Sequence, residues 1–538
     1  MSSPSLSRRR FLASTGAAAG LAAVPGRVLA AAAAPAPPKA GALSREMVAP
    51  ADLDGLLLVA QAALDAAKAA GASFADVRVV RTRAQQLSAR EDHISGLSDS
   101  ESFGLGVRVI VDGTWGFAAS YEVSPAAAAR VAAQAAVVAK ADRVARGKPI
   151  ELAPEPVHRD AWRTPLVRDP FLIPLEQKSD LLLSINRAAL AVKGAKYCSS
   201  YLHFVNEWKL YASSEGSVIE QDITRCWPGF EVTAVSDSGD FESREHDAAP
   251  RQGGWEYVEG LKLVADAPRT AADAVEKLGA AEGPVGKKDL ILHPTHLWLT
   301  IHESIGHPSE LDRALGYEAN FAGTSFLTTD KLGKLKFGHD SVTVYADRTT
   351  PGGLATCGYD DDGVATGRWD LVKKGVFVGY QTTREQAGWI GEKASRACAY
   401  GDSWSSVPFQ RMPNVSLLPG EKKLTLDDLI SSTDDGIYIV GNGSWSIDHQ
   451  RYNFQFGGQM YYEVKKGKIT RPLRHVAYQS NTPEFWSACD GICDERSWWM
   501  GGTYYDGKGE PGQVNAVSHG CPPTRFRKVN VLNVGGAS

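Results

Sequence analysis

The segment "IHESIGHPSE" at residues 301–310 places two histidines and a glutamate in the order His302-Glu303-x-x-x-His307. Neutral imidazoles are good zinc ligands. A carboxylate beside the first histidine can take a proton from an activated water without being a ligand itself. The spacing is one residue longer than in the familiar zinc-protease helix. The alternative is a pair of surface histidines that flank a solvated glutamate.

The extra residue decides whether both histidines can face one ion. On a regular α-helix, residues five apart differ by roughly 140° around the axis, and residues four apart by roughly 40°. We therefore predict a local i→i+5 turn, which would bring both imidazoles back onto one face. Gly306 would ease this distortion, and Pro308 would help to end the helix. The preceding "LWLTI" would anchor the helix in a core.

The elements around this motif predict an α+β protein. Asp112-Gly113 lies between two β-rich arms and predicts a hairpin, and Ser124 followed by Pro125 predicts the start of a helix. After His302 the chain consists mostly of short strands separated by Gly, Asp, Asn and Pro, which is typical of a β-rich barrel or sandwich. We divide the chain into a leader and linker (1–42), an N-terminal α+β region (43–285) and a β-rich C-terminal domain (286–538) that carries the histidine motif.

The first residues have the features of an export signal. Ser7 to Leu12 read "SRRRFL", which matches the twin-arginine pattern, and a weakly apolar Ala/Gly stretch follows. We expect export through that route to the periplasm or another extracytoplasmic site, with the mature chain beginning between Ala30 and Ala42. The alternative is an anchoring helix, but the apolar stretch is short and rich in Ala and Gly. No other stretch is apolar enough to span a bilayer, so we expect no stable membrane insertion.

The composition is that of an ordinary globular protein. Of 538 residues, 43% are hydrophobic and 22% charged, and the formal net charge is −4. Because no basic stripe follows the first ten residues, nucleic acid is not an expected partner. The seven cysteines include Cys489 and Cys493 in "ACDGICDE", but a zinc ribbon would need a second such pair. We expect buried thiols or one local disulfide.

Several long motifs together resemble a known family. They include "GVRVIVDGTWGFAAS", "HESIGHPSE", "VPFQRMPNVSLLPGE", "DDGIYIVG", "YYEVKKGKITRPLR" and the terminal "GKGEPGQVNAVSHGCPPTRFRKVNV". By these motifs and their order, the chain resembles the TldD/PmbA family, the modulators of DNA gyrase now understood as peptidases. The resemblance covers nearly all of the sequence after the leader. Because this chain keeps His-Glu-x-x-x-His, it is similar to the metal-binding branch.

The resemblance implies a fold and an activity. It implies an N-terminal α+β region, a β-rich C-terminal region with the metal site, and a homodimer or heterodimer that encloses a cavity for short or unfolded peptides. Such peptides are thought to pair through their backbones with strands. The family's metal-binding members generally supply a cysteine as third ligand, just before a Gly-Lys pair.

At the position of that cysteine this chain has Asp506, in "TYYDGKGEPGQ". An aspartate can bind zinc, although as a harder ligand it could shift the preference toward manganese or iron. Cys521 and then His519, both in "VSHGCPP", are rivals for the role. A further alternative makes Asp506 a plain turn residue at a degenerate site.

Other features permit two interpretations each. The acidic run "GYDDDG" at 358–363 lacks the spacing of a calcium loop, so we expect a solvated loop. Glu310 is either an orienting partner for a ligand or a surface glutamate. The aromatic cluster formed by Trp498, Trp499, Tyr504 and Tyr505 is typical of a core or a dimer contact, although its closeness to Asp506 makes a cavity wall an alternative.

The predicted function is a metallopeptidase. His302, His307 and Asp506 would hold one divalent ion of zinc type, and Glu303 would deprotonate the attacking water. The alternative function is a non-catalytic peptide-binding or partner subunit of a TldD/PmbA-like complex.

Overall fold

Long alternating segments dominate the first half of the chain, whereas short strands broken by turn residues dominate the second. The computed structural model describes residues 52–145 and 147–535. The twin-arginine pattern and the expected start of the mature chain lie outside the described residues. From Leu53 onward the described residues pack as one compact unit. The predicted boundary at residues 285 and 286 therefore stays a prediction.

The first half contains five α-helices and nine strands among its described residues. The helices are α1 Leu53–Ala69, α2 Pro125–Asp142, α3 Leu175–Leu190, α4 Trp255–Gly260 and α5 Leu263–Leu278. The strands are β1 Phe74–Arg90, β2 His93–Val111, β3 Thr114–Ser120, β4 Arg159–Arg163, β5 Ala195–Ser213, β6 Val218–Val235, β7 Phe241–Glu245, β8 Arg251–Gln252 and β9 Ala281–Glu282.

Local sequence signals explain where these elements begin and end. The turn between β2 and β3 has φ of 51° at Asp112 and 74° at Gly113, the left-handed region that a tight hairpin requires. Ser124 caps α2 by accepting a hydrogen bond from Ala127 N, and Pro125 occupies the first turn, as predicted.

Eight of these strands form one sheet. Its order is β3-β2-β1-β5-β6-β4, and β7 and β8 pair with β6. Helices α1 and α2 bury small apolar residues such as Ala63 and Ala135 against β1 to β3. Helices α3 and α5 cover another part of the sheet through residues such as Leu182 and Ala271.

The second half contains shorter elements. The helices are α6 Pro294–Ile301, α7 Leu311–Ala314, α8 Arg384–Ala387, α9 Leu426–Ser431 and α10 Thr482–Ser487. The strands are β10 Gly286–Leu292, β11 Val344–Asp347, β12 Arg368–Lys373, β13 Val376–Phe377, β14 Ala399–Tyr400, β15 Phe409–Gln410, β16 Asn414–Leu417, β17 Asp435–Val440, β18 Trp445–Ile447, β19 Asn453–Phe456, β20 Met460–Lys465, β21 Lys468–Arg474, β22 Val476–Asn481, β23 Cys489–Ile492, β24 Trp499–Lys508, β25 Gln513–Cys521 and β26 Thr524–Asn533.

These strands form open sheets. A ten-stranded sheet has the order β18-β19-β22-β26-β10-β17-β20-β21-β9, with β23 paired to β26. A four-stranded sheet has the order β13-β12-β11-β16, and β14–β15 and β24–β25 are separate pairs. The predicted α+β class is confirmed. The barrel alternative is wrong for the described residues, because the ten-stranded sheet keeps two free ends instead of closing.

The acidic run is buried, so the predicted solvated loop is wrong. Asp361 accepts hydrogen bonds from Lys209 Nζ at 2.9 Å and Arg78 NH1 at 3.3 Å, and Asp362 accepts one from Arg108 NH2 at 2.8 Å. The three basic residues lie on β1, β2 and β5. The aspartates therefore join the second half of the chain to the eight-stranded sheet through charge pairs.

Two further expectations concern the cysteines and the membrane. All seven cysteines are buried free thiols, including Cys489 and Cys493, so the prediction of buried thiols is confirmed and the local disulfide is not formed. Among residues 52–145 and 147–535, no helix combines the length and apolarity needed to cross a bilayer.

Candidate metal centre

The histidine motif forms the irregular turn that its spacing predicts. Helix α6 is buried throughout and continues into a π-helical turn over His302–Gly306. The backbone N–H of His307 donates to the carbonyl of His302, which is the i→i+5 hydrogen bond. The backbone of Gly306 does not require glycine, because its φ of −56° is ordinary. Its packing does, because an added Cβ would lie 2.6 Å from Met412 Sδ.

The turn brings the two imidazoles together. Their ring centroids lie 4.5 Å apart at an interplanar angle of 74°. His302, Glu303 and His307 each place one potential ligand atom within 4.8 Å of the others, and all three residues are buried. The interpretation as two surface histidines and a solvated glutamate is therefore wrong.

A backbone carbonyl fixes which nitrogen of His302 faces the cavity. His519 Nδ1 lies 2.9 Å from the carbonyl oxygen of Val415, which can only accept, so this nitrogen carries the proton. His519 Nε2 is then an acceptor, and it lies 2.8 Å from His302 Nδ1, which must donate. The lone pair of His302 is therefore on Nε2.

A carboxylate has the same effect on His307. Nδ1 of His307 lies 3.0 Å from Glu310 Oε2, so it donates and leaves the lone pair on Nε2. Glu310 is fully buried and also accepts from Arg313 Nε at 3.0 Å and Lys508 Nζ at 3.2 Å. Although burial opposes ionisation, Lys508 and Arg313 hold the pKa of Glu310 well below its ordinary value. The surface alternative for Glu310 is wrong.

Asp506 on β24 faces both free lone pairs. Its Oδ1 lies 3.7 Å from His302 Nε2 and 3.5 Å from His307 Nε2. Ligand atoms around a tetrahedral zinc ion, each about 2.1 Å from the metal, lie about 3.4 Å apart. The second oxygen, Oδ2, is buried without a hydrogen bond and lies 3.6 Å from Arg411 NH2. Two neutral imidazoles and a carboxylate oxygen at these distances fit a divalent ion of zinc type.

Burial sets the protonation of these groups. It lowers the pKa of His302 to about 3 and that of His307 well below its ordinary value, so both rings are neutral near pH 7. Burial raises the pKa of Asp506 to about 6, against the neighbouring charge of Arg411. Neutral rings are the form of histidine that binds metals.

The two rivals of Asp506 lie elsewhere. His519 stands behind His302, where it orients the ring and has both nitrogens engaged. Cys521 is fully buried, and its Sγ lies 3.8 Å from the carbonyl oxygen of Pro294. Burial raises the pKa of this thiol well above its ordinary value, which disfavours the thiolate that binds metals. The geometry favours Asp506 over both.

Glu303, unlike the two histidines, is held by an arginine, Arg451. The Arg451 NH1 group donates to Glu303 Oε2. Burial and the charge of Asp506 raise the pKa of Glu303, whereas Arg451 acts in the opposite direction. Because Arg451 already engages this carboxylate whereas Asp506 Oδ1 faces both imidazole nitrogens, the geometry favours Asp506 over Glu303 as the third ligand. Glu303 lies beside this group, in a position where a carboxylate is able to accept a proton.

Comparison with known families identifies the fold around this site. Models of the PmbA/TldA metallopeptidase family match the chain in three consecutive parts: domain 1 at residues 75–139, the central domain at 168–281 and the C-terminal domain at 285–533. The chain belongs to the PmbA/TldD metallopeptidase family. The C-terminal match contains His302, Glu303, His307 and Asp506.

Individual members of the PmbA/TldD family resemble the chain along most of its length. A metalloprotease of Methanothermobacter thermautotrophicus is 27% identical over an alignment that covers 85% of this chain and 95% of that protein. A zinc metalloprotease TldD homologue of Saccharolobus solfataricus is 24% identical over an alignment that covers 87% of this chain and 97% of that protein. The crystal structure of TldE from Thermococcus kodakarensis has a TM-score of 0.63 at 18% identity and covers 87% of this chain and 98% of its own. At this sequence identity, the similarity to TldE shows a shared fold.

In this PmbA/TldD family member the candidate ligands open onto a cavity of about 500 Å³. His302, Glu303, His307 and Asp506 line it from the C-terminal half, and Trp227 and Glu245 line it from the eight-stranded sheet. Trp499 and Tyr505 also belong to the wall, whereas Tyr504 is buried. The alternative of a cavity wall is thus the correct interpretation for two members of the aromatic cluster.

The sequence interpretation gave no part to two residues of the site, Arg451 and Arg411, and took a third, His519, as a rival ligand. Arg451 engages Glu303, Arg411 donates to the main-chain oxygen of Asp506, and His519 orients His302 instead of rivalling Asp506. Arg451 has φ of 62°, an uncommon conformation outside glycine, in a turn between β18 and β19. No local pattern announces these contacts, because each partner lies about a hundred or more positions away in the sequence.

Proposed function

We propose that this chain is a metal-dependent peptidase that hydrolyses short or unfolded peptide segments. One observation carries the proposal: His302 Nε2, His307 Nε2 and Asp506 Oδ1 converge at the wall of a large cavity, with Glu303 alongside. His302, His307 and Asp506 would hold the ion. Membership of a metallopeptidase family supports the reaction class.

When bound, a divalent ion of zinc type supplies a Lewis acid that polarises the scissile carbonyl and acidifies water. Glu303 Oε1 or Oε2 takes a proton from the attacking water and returns it to the nitrogen of the departing amine. Arg451 holds the Glu303 carboxylate in place through this exchange. His519 and Glu310 keep the two ligand rings from rotating or changing tautomer.

The proposed role of Glu303 is tested by its replacement with glutamine. Glu303→Gln should abolish cleavage of a mixed peptide library by the zinc-loaded protein, while elemental analysis still finds about one metal per chain. Turnover that equals the parent's would reject the role. A protein that takes up no metal and whose peptide affinity ignores chelators would instead support the alternative of a non-catalytic partner subunit.

The identity of the ion, the partners and the cellular location are further parts of the proposal. We propose zinc, with manganese or iron as rivals because Asp506 is a harder ligand than a cysteine. We also propose a homodimer or a heterodimer with a second family member, and export through the twin-arginine route. Sedimentation of the purified protein and fractionation of cells that express the full chain test the last two points.

A further inference from the structure

The charged carboxylate side chains that line the cavity wall are not matched by basic side chains in that wall. The lining residues include four carboxylates, and no lysine or arginine belongs to the wall in the part of the chain that the structure describes. The carboxylates are Glu245, Asp247, Glu303 and Asp506. An acidic group of this wall that has no cationic partner would favour a cationic group on a bound peptide.

Three of these carboxylates already have charged partners or a role at the metal centre. Glu303 is engaged by Arg451, and Asp506 faces the two ligand histidines and Arg411. Asp247 accepts from Arg244 NH2 at 2.5 Å. Each of these three groups is accounted for without a substrate.

Glu245, the last residue of β7, differs from the others. Among the described residues its side chain accepts one hydrogen bond, from the hydroxyl of Tyr201 at 3.3 Å from Oε1. The neighbouring Arg244 side chain donates to Asp247, to Gln459 and to the main-chain carbonyl of Glu245, and not to the Glu245 carboxylate. Within the described residues no Lys, Arg or His forms an ion pair with Glu245. Its carboxylate thus has no ion-pair partner at the wall of the cavity, although the charge of Arg244 acts on it and lowers its pKa.

A second carboxylate lies directly across the strand pair. In the antiparallel register of β6 and β7, Glu231 is opposite Glu245, so their side chains lie on the same face. Like charges in directly opposite positions are unfavourable in a sheet unless a cation compensates them. Lys277, whose charge lowers the pKa of Glu231 against the effect of burial, forms its ion pair with Glu242 at 3.0 Å. Burial and Glu231 raise the pKa of Glu245 to about 6.

Aromatic rings surround the same space. Trp227, Trp445, Trp499 and Tyr505 line the cavity, and the Trp227 ring lies 5.8 Å from that of Tyr505 and 5.9 Å from that of Tyr201. Indole and phenol faces attract ammonium and guanidinium groups. A carboxylate without a counter-ion beside aromatic faces is the usual environment for a bound organic cation.

We propose that Glu245 is the specificity-determining residue of this cavity and binds a positively charged group of the peptide substrate. The group is either the α-ammonium of a free N terminus or the side chain of a lysine or arginine. The inference rests on the proposed function, since it takes the cavity to be the peptide site, and it adds the substrate class.

The test uses binding to the zinc-loaded Glu303→Gln protein, which the proposed mechanism leaves unable to cleave. Three pentapeptides carry a C-terminal fluorophore: one has a free N terminus and norleucine, one is N-acetylated with norleucine, and one is N-acetylated with lysine in place of norleucine. Fluorescence anisotropy gives their affinities for Glu303→Gln alone and combined with Glu245→Gln. The matched control is Glu242→Gln, on the same strand but outside the cavity wall.

We expect at least one cationic peptide to bind about tenfold or more tightly than the neutral peptide, which corresponds to about 1.4 kcal/mol. Glu245→Gln should remove this preference and Glu242→Gln should keep it. The cationic peptide that binds tightly identifies the group that is recognised. Equal affinities for all three peptides, or a preference that survives Glu245→Gln, would overturn the inference.

Two further readouts separate the possible failures. If Glu245→Gln does not fold, Glu231→Gln replaces it and should weaken the preference by removing the second charge; an undiminished preference overturns the inference. Cleavage by the zinc-loaded unmutated protein is measured separately. Charge-selective binding without cleavage would contradict the proposed function and support the inference. Cleavage without charge-selective binding would support the proposed function and contradict the inference.

Discussion

His302 Nδ1 donates to His519 Nε2 across 2.8 Å, and this contact determines that His302 presents Nε2 to Asp506. The tautomer is set at the carbonyl of Val415, two hydrogen bonds away from the proposed metal position. Orientation of one ligand by a residue that does not itself bind the ion is a common arrangement at metal sites.

Replacing His519 should therefore weaken metal binding. We expect His519→Ala to reduce zinc affinity by about 10- to 100-fold, because His302 loses the acceptor that fixes its ring. Competition with a chromophoric chelator measures the affinity. Cys521→Ala is the control, since it changes a buried residue two positions along the same strand whose thiol lies at the carbonyl oxygen of Pro294. Equal affinities of both variants would contradict the assigned role.

Replacing Arg451 should alter the pH dependence of activity. Burial and Asp506 raise the pKa of Glu303 and Arg451 opposes this, so Arg451→Gln should raise the pKa further. A base must be unprotonated to act, so the acidic limb of kcat/KM should move to higher pH and activity at pH 6 should fall more than at pH 8. Arg451→Lys should show a smaller displacement. A limb that stays in place, or moves to lower pH, would contradict the account.

Metal affinity should depend on pH through Asp506. In the ion-free protein the pKa of Asp506 is about 6, raised by burial, whereas burial lowers the pKa of His302 to about 3. Below about pH 6 a proton competes with the ion for the carboxylate, so affinity should fall by about tenfold per pH unit, and above it the affinity should level off. Isothermal titration from pH 5 to 8 measures this. Asp506→Asn should bind more weakly and lose this dependence; the same slope in that variant would exclude Asp506 as its source.

Removing Asp361 should destabilise the whole fold. Asp361→Ala leaves Arg78 and Lys209 buried without this acceptor, and breaking a buried charge pair costs about 3–5 kcal/mol. The free energy of unfolding in urea measures the loss. Asp340→Ala, which removes an exposed partner of Lys336, should cost less than about 1 kcal/mol. Comparable losses in the two variants would show that the buried pairs do not join the two halves of the chain.

Local sequence rules predicted the parts of this protein that depend on neighbours in the chain. The turn at Asp112-Gly113, the cap at Ser124 and the i→i+5 hydrogen bond between His302 and His307 all follow from spacings of a few residues. The proposed third ligand came from the family resemblance, because nothing local links Asp506 to a motif about two hundred residues earlier.

The errors arose where distant residues meet. The acidic run was expected in solvent, but its partner Arg78 is 283 residues from Asp361 and lies on β1 of the eight-stranded sheet. Glu303 and Arg451 are 148 residues apart. Charge pairing at such separations is decided by the packing of the sheets, which the order of residue types does not reveal.

The most direct test of the central claim is a crystal structure of the zinc-loaded protein with anomalous diffraction data on both sides of the zinc edge. We predict one strong peak per chain, about 2.0–2.2 Å from His302 Nε2, His307 Nε2 and an Asp506 oxygen, with Glu303 outside bonding distance. A peak bound by Glu303 or Cys521 in place of Asp506, or no peak between the two histidines, would contradict the account.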